Sequence, residues 1–440
     1  MASTYLTRTV ASASNRRTWT FSAWCKRSGL GDYGTFLVSF SDANNQGVIR
    51  FMNDDTLDVY DYVSGAFNWR LQTNRLFRDT SAWYHIVVAV DTTQATASDR
   101  VKIYVNGVQE TSFATSTYPA QDYEGFINRN RVHSIGNGGN NNMYFDGSMS
   151  HIHFIDGTAY QASDFGSTDS TTGEWKINTS PSVSYGTNGF FLLKDDNAVT
   201  DRSGQGNNFT LGGGTLTKTE DCPSNVFCTL NPLFNSAGYF SGNTQSLSFS
   251  NGNTYAGKVT HGTYFGTIGV SSGKYYWEVK VEDTNNAFGI MAMKPTGGVS
   301  YAYDDATSNL YYPYSDYYYT NGSSGSSGSG DFDNTSNKIY SFALDATNNK
   351  MWIGRDGTFI GDPVAGTGAT WSSLPTGHDW TPVCHPMSTT QNNNTSFNFG
   401  NGYFGTTAVS SAGTNASGIG IFEYDVPTGF TALSTKGLNE

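Results

Sequence analysis

Residues 273–283 read GKYYWEVKVED and alternate strictly between two kinds of side chain. Tyr275, Trp277, Val279 and Val281 occupy every second position, and the residues between them are mostly charged. Successive side chains of a strand point to opposite faces of its sheet, so the stretch predicts a strand with one apolar and one solvated face. We therefore expect the two glutamates at positions 278 and 282 to be solvated.

The composition extends this prediction to the whole chain. Charged residues make up 14% of the 440 residues, against about 25% in ordinary soluble domains, while aromatic residues make up 15%. Many short alternating segments, frequent turn residues and abundant aromatic side chains favour an all-β protein. The length is too great for one ordinary core and favours two or three domains.

Charge and hydropathy exclude several classes of partner. The net charge of −12 argues against nucleic acid, because neutralising phosphates requires clustered Lys and Arg. Anionic membranes are disfavoured for the same reason, and the longest apolar run, residues 86–90, is far too short to span a bilayer. The N-terminus lacks the apolar core of a secretory signal. We expect no nucleic-acid partner, no membrane partner and no secretory signal peptide.

The first segment contains several strand signals. In RRTWTFSAWCKRSG, residues 16–29, Trp19, Phe21 and Ala23 alternate with polar residues, which predicts a strand with one wet face. WYHIVVAVDTT, residues 83–93, predicts a buried strand. RVKIYVNGVQETSF, residues 100–113, predicts a hairpin, because Asn-Gly is the strongest short-range hairpin signal.

Together with Trp24, these strands resemble laminin-G-like, concanavalin A-like jelly rolls over residues 1–195. The order GKYYWEV, then ALD running into MWIG, then the Asp356-Gly357 turn and the NFG segment at 398–400, resembles a SPRY domain over residues 246–425. The predicted fold is thus two antiparallel β-sandwich (jelly-roll) domains. Residues 196–245 are predicted to form an irregular connector with docked apolar anchors, and residues 426–440 a C-terminal tail. The anchors are Phe209, Phe227 and Leu230.

Four short segments of the sequence resemble segments of structural proteins from tailed bacteriophages. They are FIDG, YGTNGFFL, D-x-SG-x-GNNFT and CTLNPL. The resemblance implies a non-enzymatic virion protein, assembled in the host cytoplasm, in a tail appendage or tail fibre that binds the host surface, glycans above all. The alternatives are an architectural subunit, such as a head decoration or appendage-anchoring protein, and a less favoured polysaccharide hydrolase. Expected partners are other virion proteins, a host surface glycan or receptor, and further copies of the chain.

Candidate catalytic and metal-binding residues are few. Concanavalin A-like hydrolases carry an E-x-D-x-E strand, whereas residues 278–282 read EVKVE, with lysine in place of the middle acid. We therefore expect no enzyme activity. His151 and His153 fall on one strand face, where exposed histidines are favoured over a metal pair. No cofactor is predicted; Ca²⁺ stays open, with Asp91, Asp146 and Asp156 as acidic candidates without an assignable site. Cys222 and Cys228 are expected to be thiols and not a disulfide.

The remaining candidate is NLYYPYSDYYYTNGSSGSSGSG, residues 309–330, in which six of the nine residues from 311 to 319 are tyrosine. Because proline and a Gly/Ser run are unfavourable in a buried strand, we predict an exposed loop. Ligand contact and subunit contact are favoured equally, and packing of the tyrosines on their own sheet less so. The predicted contact residues are Tyr311, Tyr312, Tyr314, Asp316, Tyr317, Tyr318, Tyr319 and Asn321.

Overall fold

The computed structural model describes residues 3–140, 142–194, 198–243, 247–257, 262–327, 332, 334–387 and 394–440. Contacts divide the chain into two compact units, Met1–Lys218 and Thr219–Glu440. The division lies inside the segment 196–245. The all-β prediction is confirmed, because the described elements are strands, paired almost throughout in antiparallel fashion, and short 3-10 turns.

The first unit contains two large sheets and one small one among its described residues. Its strands are β1 Tyr5–Thr9, β2 Thr18–Arg27, β3 Gly34–Asp42, β4 Asn45–Phe51, β5 Thr56–Val63, β6 Ala66–Leu76, β7 Tyr84–Asp91, β8 Val101–Val105, β9 Val108–Gln109, β10 Phe113–Thr117, β11 Val132–Ile135, β12 Gly147–Asp156, β13 Gly166–Thr168, β14 Trp175–Ile177, β15 Phe190–Leu192 and β16 Thr210–Gly213. Sheet A has the order β10-β6-β5-β4-β3-β11-β1-β16, sheet B the order β15-β12-β2-β7-β8-β9, and β13 pairs with β14.

The second unit repeats this organisation. Its strands are β17 Phe249–Ser250, β18 Tyr255–Ala256, β19 Tyr264–Phe265, β20 Lys274–Val281, β21 Asn286–Ala292, β22 Asn309–Tyr312, β23 Tyr317–Thr320, β24 Ser323–Ser327, β25 Lys338–Asp345, β26 Lys350–Arg355, β27 Thr358–Phe359, β28 Trp380–Pro386, β29 Thr395–Asn398, β30 Tyr403–Phe404, β31 Thr407–Ala408 and β32 Thr431–Ala432. Sheet C has the order β17-β18-β29-β20-β25-β26-β27 with β32 beside β20, sheet D the order β19-β28-β21-β22-β23-β24, and β30 pairs with β31.

Helical structure in the described residues is limited to single 3-10 turns. They are Ala97–Asp99, Ala162–Asp164, Ser236–Gly238, Ala302–Asp304, Pro313–Ser315 and Gly437–Asn439. Within the described part of the chain, no helix has the length and apolarity needed to cross a membrane.

The hairpin predicted at Asn106-Gly107 is confirmed. Val105 pairs with Val108, and the two turn residues have φ of 48° and 81°, as a type I′ turn requires. A side chain on Gly107 would also meet the ring of Trp175, 2.4 Å from its ideal Cβ. Glycine is therefore needed twice at this position, for its backbone conformation and for the close approach of an indole.

The core of the first unit lies between sheets A and B. Phe21, Val88 and Ile103 of sheet B pack in one cluster with Leu37 and Val59 of sheet A. The alternation in β2 is thus confirmed, but the prediction that its polar face is solvated is wrong. Residues 158–185 cover that face, and the buried hydroxyl of Thr20 donates to the carbonyl of Thr158 at 2.8 Å.

The connector anchors are buried as predicted. Phe209 joins the core of the first unit, whereas Phe227 and Leu230 are buried in the second unit. The D-x-SG-x-GNNFT phrase forms a loop around Asp201, whose carboxylate accepts from the backbone N–H groups of Phe191 and Asn207, both at 2.8 Å. This phrase therefore has a structural role.

The second unit has its core between sheets C and D, where Trp277 and Phe342 pack with Phe288 and Tyr311. The predicted solvated face of β20 is wrong at Tyr276 and Glu278, which are 0% exposed. Residues 422–432 lie over this face and bury both side chains. The four cysteines are free thiols, which confirms the prediction for Cys222 and Cys228.

Candidate functional site

The tyrosine-rich segment is not a loop but part of sheet D. Residues Asn309–Tyr312 form β22, Pro313–Ser315 a 3-10 turn, and Tyr317–Thr320 the antiparallel strand β23. Strand β24, Ser323–Ser327, continues the sheet beyond β23. Residues 328–330 of the predicted Gly/Ser run lie outside the described residues. The prediction of an exposed loop is wrong, because backbone pairing needs no large side chain and proline here occupies a turn.

The hairpin divides its tyrosines between two faces. Tyr311 pairs directly with Tyr318, and both rings point towards the core, where Tyr311 is 0% exposed. The ring of Tyr318 lies 4.8 Å from that of Tyr311 and packs edge-on against Trp371. Packing of tyrosines on their own sheet, the least favoured sequence interpretation, thus describes these two residues.

The two predicted polar contact residues hold turns. The hydroxyl of Tyr311 donates to the carboxylate of Asp316 at 3.1 Å, and Asp316 ends the 3-10 turn with φ of 50°. Asn321 and Gly322 have φ of 50° and 74° and form the two-residue turn between β23 and β24. Their ligand contact stays a prediction.

The opposite face of the hairpin is a continuous tyrosine surface. We call it the tyrosine face; its members are Tyr301, Tyr303, Tyr312, Tyr314, Tyr317 and Tyr319. The ring centroids of Tyr301 and Tyr303 lie 5.3 Å apart, as do those of Tyr303 and Tyr319. The distance is 6.5 Å between Tyr317 and Tyr319 and 5.9 Å between Tyr312 and Tyr314. Tyr314 is 49% exposed and Tyr317 36%, and the other four are half-buried.

Buried side chains of sheet D hold these rings in place. Tyr303, Tyr312 and Tyr319 pack against a buried cluster that includes Leu310 and Met291. The buried imidazole of His385, which contacts Thr263 at 2.9 Å, lies 5.3 Å from the ring of Tyr303. Tyr303, Tyr312 and Tyr319 are therefore preorganised, because their rings rest on a buried cluster.

The hydroxyls of Tyr303 and Tyr312 are neutral hydrogen-bonding groups. Burial raises the pKa of Tyr303 and of Tyr312 to about 12, so both keep their protons at physiological pH. The charges that act on these two rings include the carboxylates of Asp304 and Asp283. This environment favours a neutral ligand over an anionic one.

Sequence reasoning did not identify Tyr301 and Tyr303. Residues 300–303 read SYAY, so the two tyrosines alternate as in a strand; in the structure Tyr301 directly precedes the 3-10 turn Ala302–Asp304 and Tyr303 lies within it. That alternation was a usable signal, although nothing local indicated that this segment would lie across sheet D beside Tyr319.

The buried glutamate of β20 has no free position for a substrate. The hydroxyl of Tyr276 and the backbone N–H of Tyr424 donate to Oε1 of Glu278 at 3.0 and 2.9 Å. Asn398 Nδ2 and the N–H of Glu423 donate to Oε2 at 3.1 and 2.9 Å. Burial raises the pKa of Glu278 to about 7, against the opposing effect of these four donors. The carboxylate anchors the segment that covers it.

A buried serine–histidine pair in the first unit has the wrong tautomer for a catalytic dyad. Ser22 Oγ lies 2.9 Å from His85 Nε2, but Trp175 Nε1 donates to His85 Nδ1 at 3.0 Å. Because Nδ1 accepts, Nε2 carries the proton, and the imidazole cannot take a proton from Ser22.

His151 and His153 are 8% and 2% exposed, so the prediction of solvent-exposed histidines is wrong. His153 stacks on Phe191 with centroids 3.9 Å apart and its Nδ1 contacts the hydroxyl of Tyr185 at 2.9 Å. The segment that ends in Tyr185 covers this face of sheet B.

Two of the three acidic calcium candidates, Asp156 and Asp91, serve local structure. Asp156 accepts from Asn128 and from the backbone N–H groups of Asn15 and Asn188. Asp91 caps its own turn, accepting from the N–H of Thr93. In the described ranges, no three His, Cys, Asp or Glu side chains form a group that could hold a metal ion.

Residues 2–164 match the family model of the Concanavalin A-like lectin/glucanases superfamily. The match supports the laminin-G-like, concanavalin A-like jelly roll predicted for the first segment. No curated protein matches the chain.

Three solved structures are similar over about a third of the chain. The SPRY domain of human HERC1 has 17% identity and a TM-score of 0.27, over 34% of this chain and 91% of its own. The native heptameric SAP-like pentraxin from Limulus polyphemus has 17% identity and a TM-score of 0.27, over 36% of this chain and 71% of its own. The third structure is domain 4 of AbnA, a GH43 extracellular arabinanase from Geobacillus stearothermophilus, in complex with arabinotriose. It has 19% identity and a TM-score of 0.25, over 33% of this chain and 64% of its own. A SPRY domain is thus among the structural neighbours.

Proposed function

We propose that the chain is a non-enzymatic carbohydrate-binding protein that contacts neutral glycans through the tyrosine face. The observation that carries the proposal is the set of six tyrosines of this face, in two groups of neighbouring rings, three of which are held by a buried cluster. A tyrosine ring offers an apolar surface for the C–H face of a sugar and a hydroxyl for its polar edge. Fixing the rings before binding reduces the entropy that binding costs.

Two further observations bear on carbohydrate binding and on catalysis. The superfamily model that matches residues 2–164 names both lectins and glucanases, so it supports carbohydrate binding and does not distinguish binding from catalysis. Glu278, the acid nearest in sequence to a hydrolase motif, has both oxygens engaged by four donors. A general acid or base must instead reach the substrate.

Replacing Tyr314 and Tyr317 by serine is expected to weaken binding to a neutral polysaccharide about tenfold or more. Each aromatic contact contributes about 0.5–1.5 kcal/mol beyond buried area, and these are the two most exposed rings. Affinity electrophoresis through gels containing the polysaccharide measures the change. Val364→Ser, at an exposed position in the same unit, is the control and should migrate like the unaltered chain.

The competing function is an architectural one, in which the tyrosine face joins copies of the chain. It predicts that the Tyr314→Ser/Tyr317→Ser variant changes oligomeric mass in light scattering and that the intact chain binds no glycan. That pair of results would overturn the carbohydrate proposal.

We place this activity on the tail appendage of a bacteriophage, where the tyrosine face would contact the host surface. The support is the resemblance of four phrases of the sequence to tailed-phage structural proteins. We expect mass spectrometry of gradient-purified particles to find peptides of both units in constant ratio to the major capsid protein. Peptides confined to the soluble lysate would contradict the virion assignment.

A further inference from the structure

The outer face of sheet A carries a second cluster in which aromatic rings and fixed charges meet. We call it the arginine–aromatic face; its members are Arg50, Asp58, Tyr60, Tyr62, Phe67 and Arg70. Cross-strand pairing joins them directly, Arg50 with Asp58, Tyr60 with Arg70 and Tyr62 with Phe67. Strands β4, β5 and β6 thus bring the six side chains onto one surface.

A buried carboxylate fixes both guanidinium groups. Asp58 is 0% exposed; its Oδ1 accepts from Nε of Arg70 at 2.8 Å and its Oδ2 from Nη2 of Arg50 at 3.3 Å. The guanidinium of Arg50 also lies 4.9 Å from the ring centroids of Tyr33 and Tyr60. If both arginines turned away, Asp58 would be left as an unpaired buried charge.

The polar edge of Arg70 remains open. Nε and Nη2 donate to Asp58 and Gln72, whereas no described residue accepts from Nη1. The side chain of Arg70 is 21% exposed. An oxygen-rich ligand could therefore accept hydrogen bonds from a donor that is already oriented.

The aromatic rings beside this edge pack edge to face around Phe67. Phe67 lies 5.2 Å from Tyr60 and 4.8 Å from Tyr62, and the guanidinium of Arg70 lies 4.9 Å from its ring centroid. Phe67 is 46% exposed, while Val38 and Val48 are buried in the same cluster as Tyr60. A single exposed phenylalanine needs no functional explanation. Here, however, the exposed ring of Phe67 lies beside the open guanidinium edge of Arg70, and a sugar ring can contact both, the first by stacking and the second by hydrogen bonds.

Charge decides between a neutral and an acidic ligand. Arg50 and Arg70 are balanced by Asp58 and by Asp54, which accepts from Gln72 at 3.1 Å. The local charge is therefore zero, and the whole chain carries −12. A polyanion would be repelled at long range without local compensation, whereas a neutral ligand would not.

We propose that the arginine–aromatic face is a second binding surface, specific for neutral polysaccharides. A sugar ring stacks on the exposed ring of Phe67, and its hydroxyls accept from Nη1 of Arg70. The surface shares its ligand class with the proposed function of the tyrosine face, but none of its residues. The two proposals can therefore fail separately.

The test is affinity electrophoresis of the full chain in gels containing a neutral galactomannan, dextran or acidic alginate. Phe67→Ala is expected to weaken binding to a neutral polysaccharide roughly tenfold, and Phe67→Tyr to restore it. Val108→Ala, at a 65% exposed position of sheet B, is the control and should leave binding unchanged. Thermal unfolding should be the same for the three variants.

The tyrosine-face variant Tyr314→Ser/Tyr317→Ser separates the two proposals. If it still binds and addition of Phe67→Ala removes the remaining affinity, the arginine–aromatic face is a separate site. If the tyrosine-face variant alone abolishes binding, if Phe67→Ala has no effect, or if alginate is preferred, the inference is wrong. Absence of any binding by the intact chain would overturn both proposals.

Discussion

Lowering the pH from 6.5 to 4.5 is expected to remove several kcal/mol from the free energy of unfolding of the first unit. The cause is a set of buried, neutral histidines. Burial lowers the pKa of His85 to about 3 and of His133 to about 4, and holds the pKa of His153 well below its ordinary value. Stabilities of domains are about 5–15 kcal/mol, so the unit should approach unfolding at pH 4.5.

The direction follows from the protons bound in each state. Below pH 6.5 the unfolded chain binds protons at these histidines and the folded unit does not, so acid favours unfolding. His85 and His133 each contribute about 1.4 kcal/mol per pH unit, or about 5 kcal/mol together over two units, and His153 acts in the same direction. Asp61 acts in the opposite sense, because burial raises its pKa to about 7. As the pH falls, the folded unit takes up a proton at Asp61 before the unfolded chain does. This uptake offsets about 3 kcal/mol of the loss of stability caused by the histidines.

Pulsed hydrogen exchange with mass spectrometry at several pH values measures the effect separately in each unit. Amides of β2, β7 and β12 should lose protection between pH 6.5 and 4.5. His85→Gln should move that loss to lower pH, because glutamine can accept from Trp175 and donate to Ser22 without titrating. His378→Gln, at a half-buried position in the second unit, should not. Constant protection down to pH 4.5 would show that these histidines do not control stability.

Replacing Glu278 by leucine is expected to destabilise the second unit by roughly 3–5 kcal/mol and to detach residues 422–432 first. The change leaves the backbone N–H groups of Glu423 and Tyr424 without their acceptor. The hydroxyl of Tyr276 and the amide of Asn398 each lose one of two contacts, because Ser341 and the carbonyl of Ile421 remain. Each unsatisfied buried donor costs about 1–3 kcal/mol, with partial relaxation expected. Denaturant unfolding gives the total loss, and limited proteolysis locates it.

Glu282→Leu is the matched control, because Glu282 follows the same strand but is exposed, with Tyr255 donating at 3.4 Å. Its effect should stay within about 0.5 kcal/mol. Equal effects of the two substitutions would contradict the anchoring role. The pH dependence should be opposite to that of the first unit. Because the folded-state pKa of Glu278 is raised to about 7, its stabilising contribution falls as the pH rises from 4.5 to 7.

Local sequence signals predicted strands well and their environment poorly. The alternation in β2 and β20 correctly placed Phe21 and Trp277 in the cores. It could not show that distant segments, 158–185 and 422–432, would cover the opposite faces. Thr20 and Glu278 are therefore buried through contacts that no local period encodes.

The same dipeptide was informative at one hairpin and overlooked at another. Asn106-Gly107 lies among Val and Ile residues, and this sequence predicts a hairpin. Asn321-Gly322 lies between tyrosines and a Gly/Ser run, and that composition predicts a loop in place of the hairpin that is present. Both turns have positive φ at each residue. In β24 the backbone forms the ladder, so composition alone gave the wrong expectation. The exposed members of the tyrosine face were predicted, whereas Tyr311 and Tyr318 required the register of β22 and β23.

A glycan array probed with the intact chain and with the Tyr314→Ser/Tyr317→Ser variant tests carbohydrate binding most directly. The account predicts that the intact chain binds a defined set of neutral glycans and that the variant binds them more weakly, with unchanged thermal stability. Binding that is absent from every glycan, or equal for both proteins, would contradict the role of the tyrosine face.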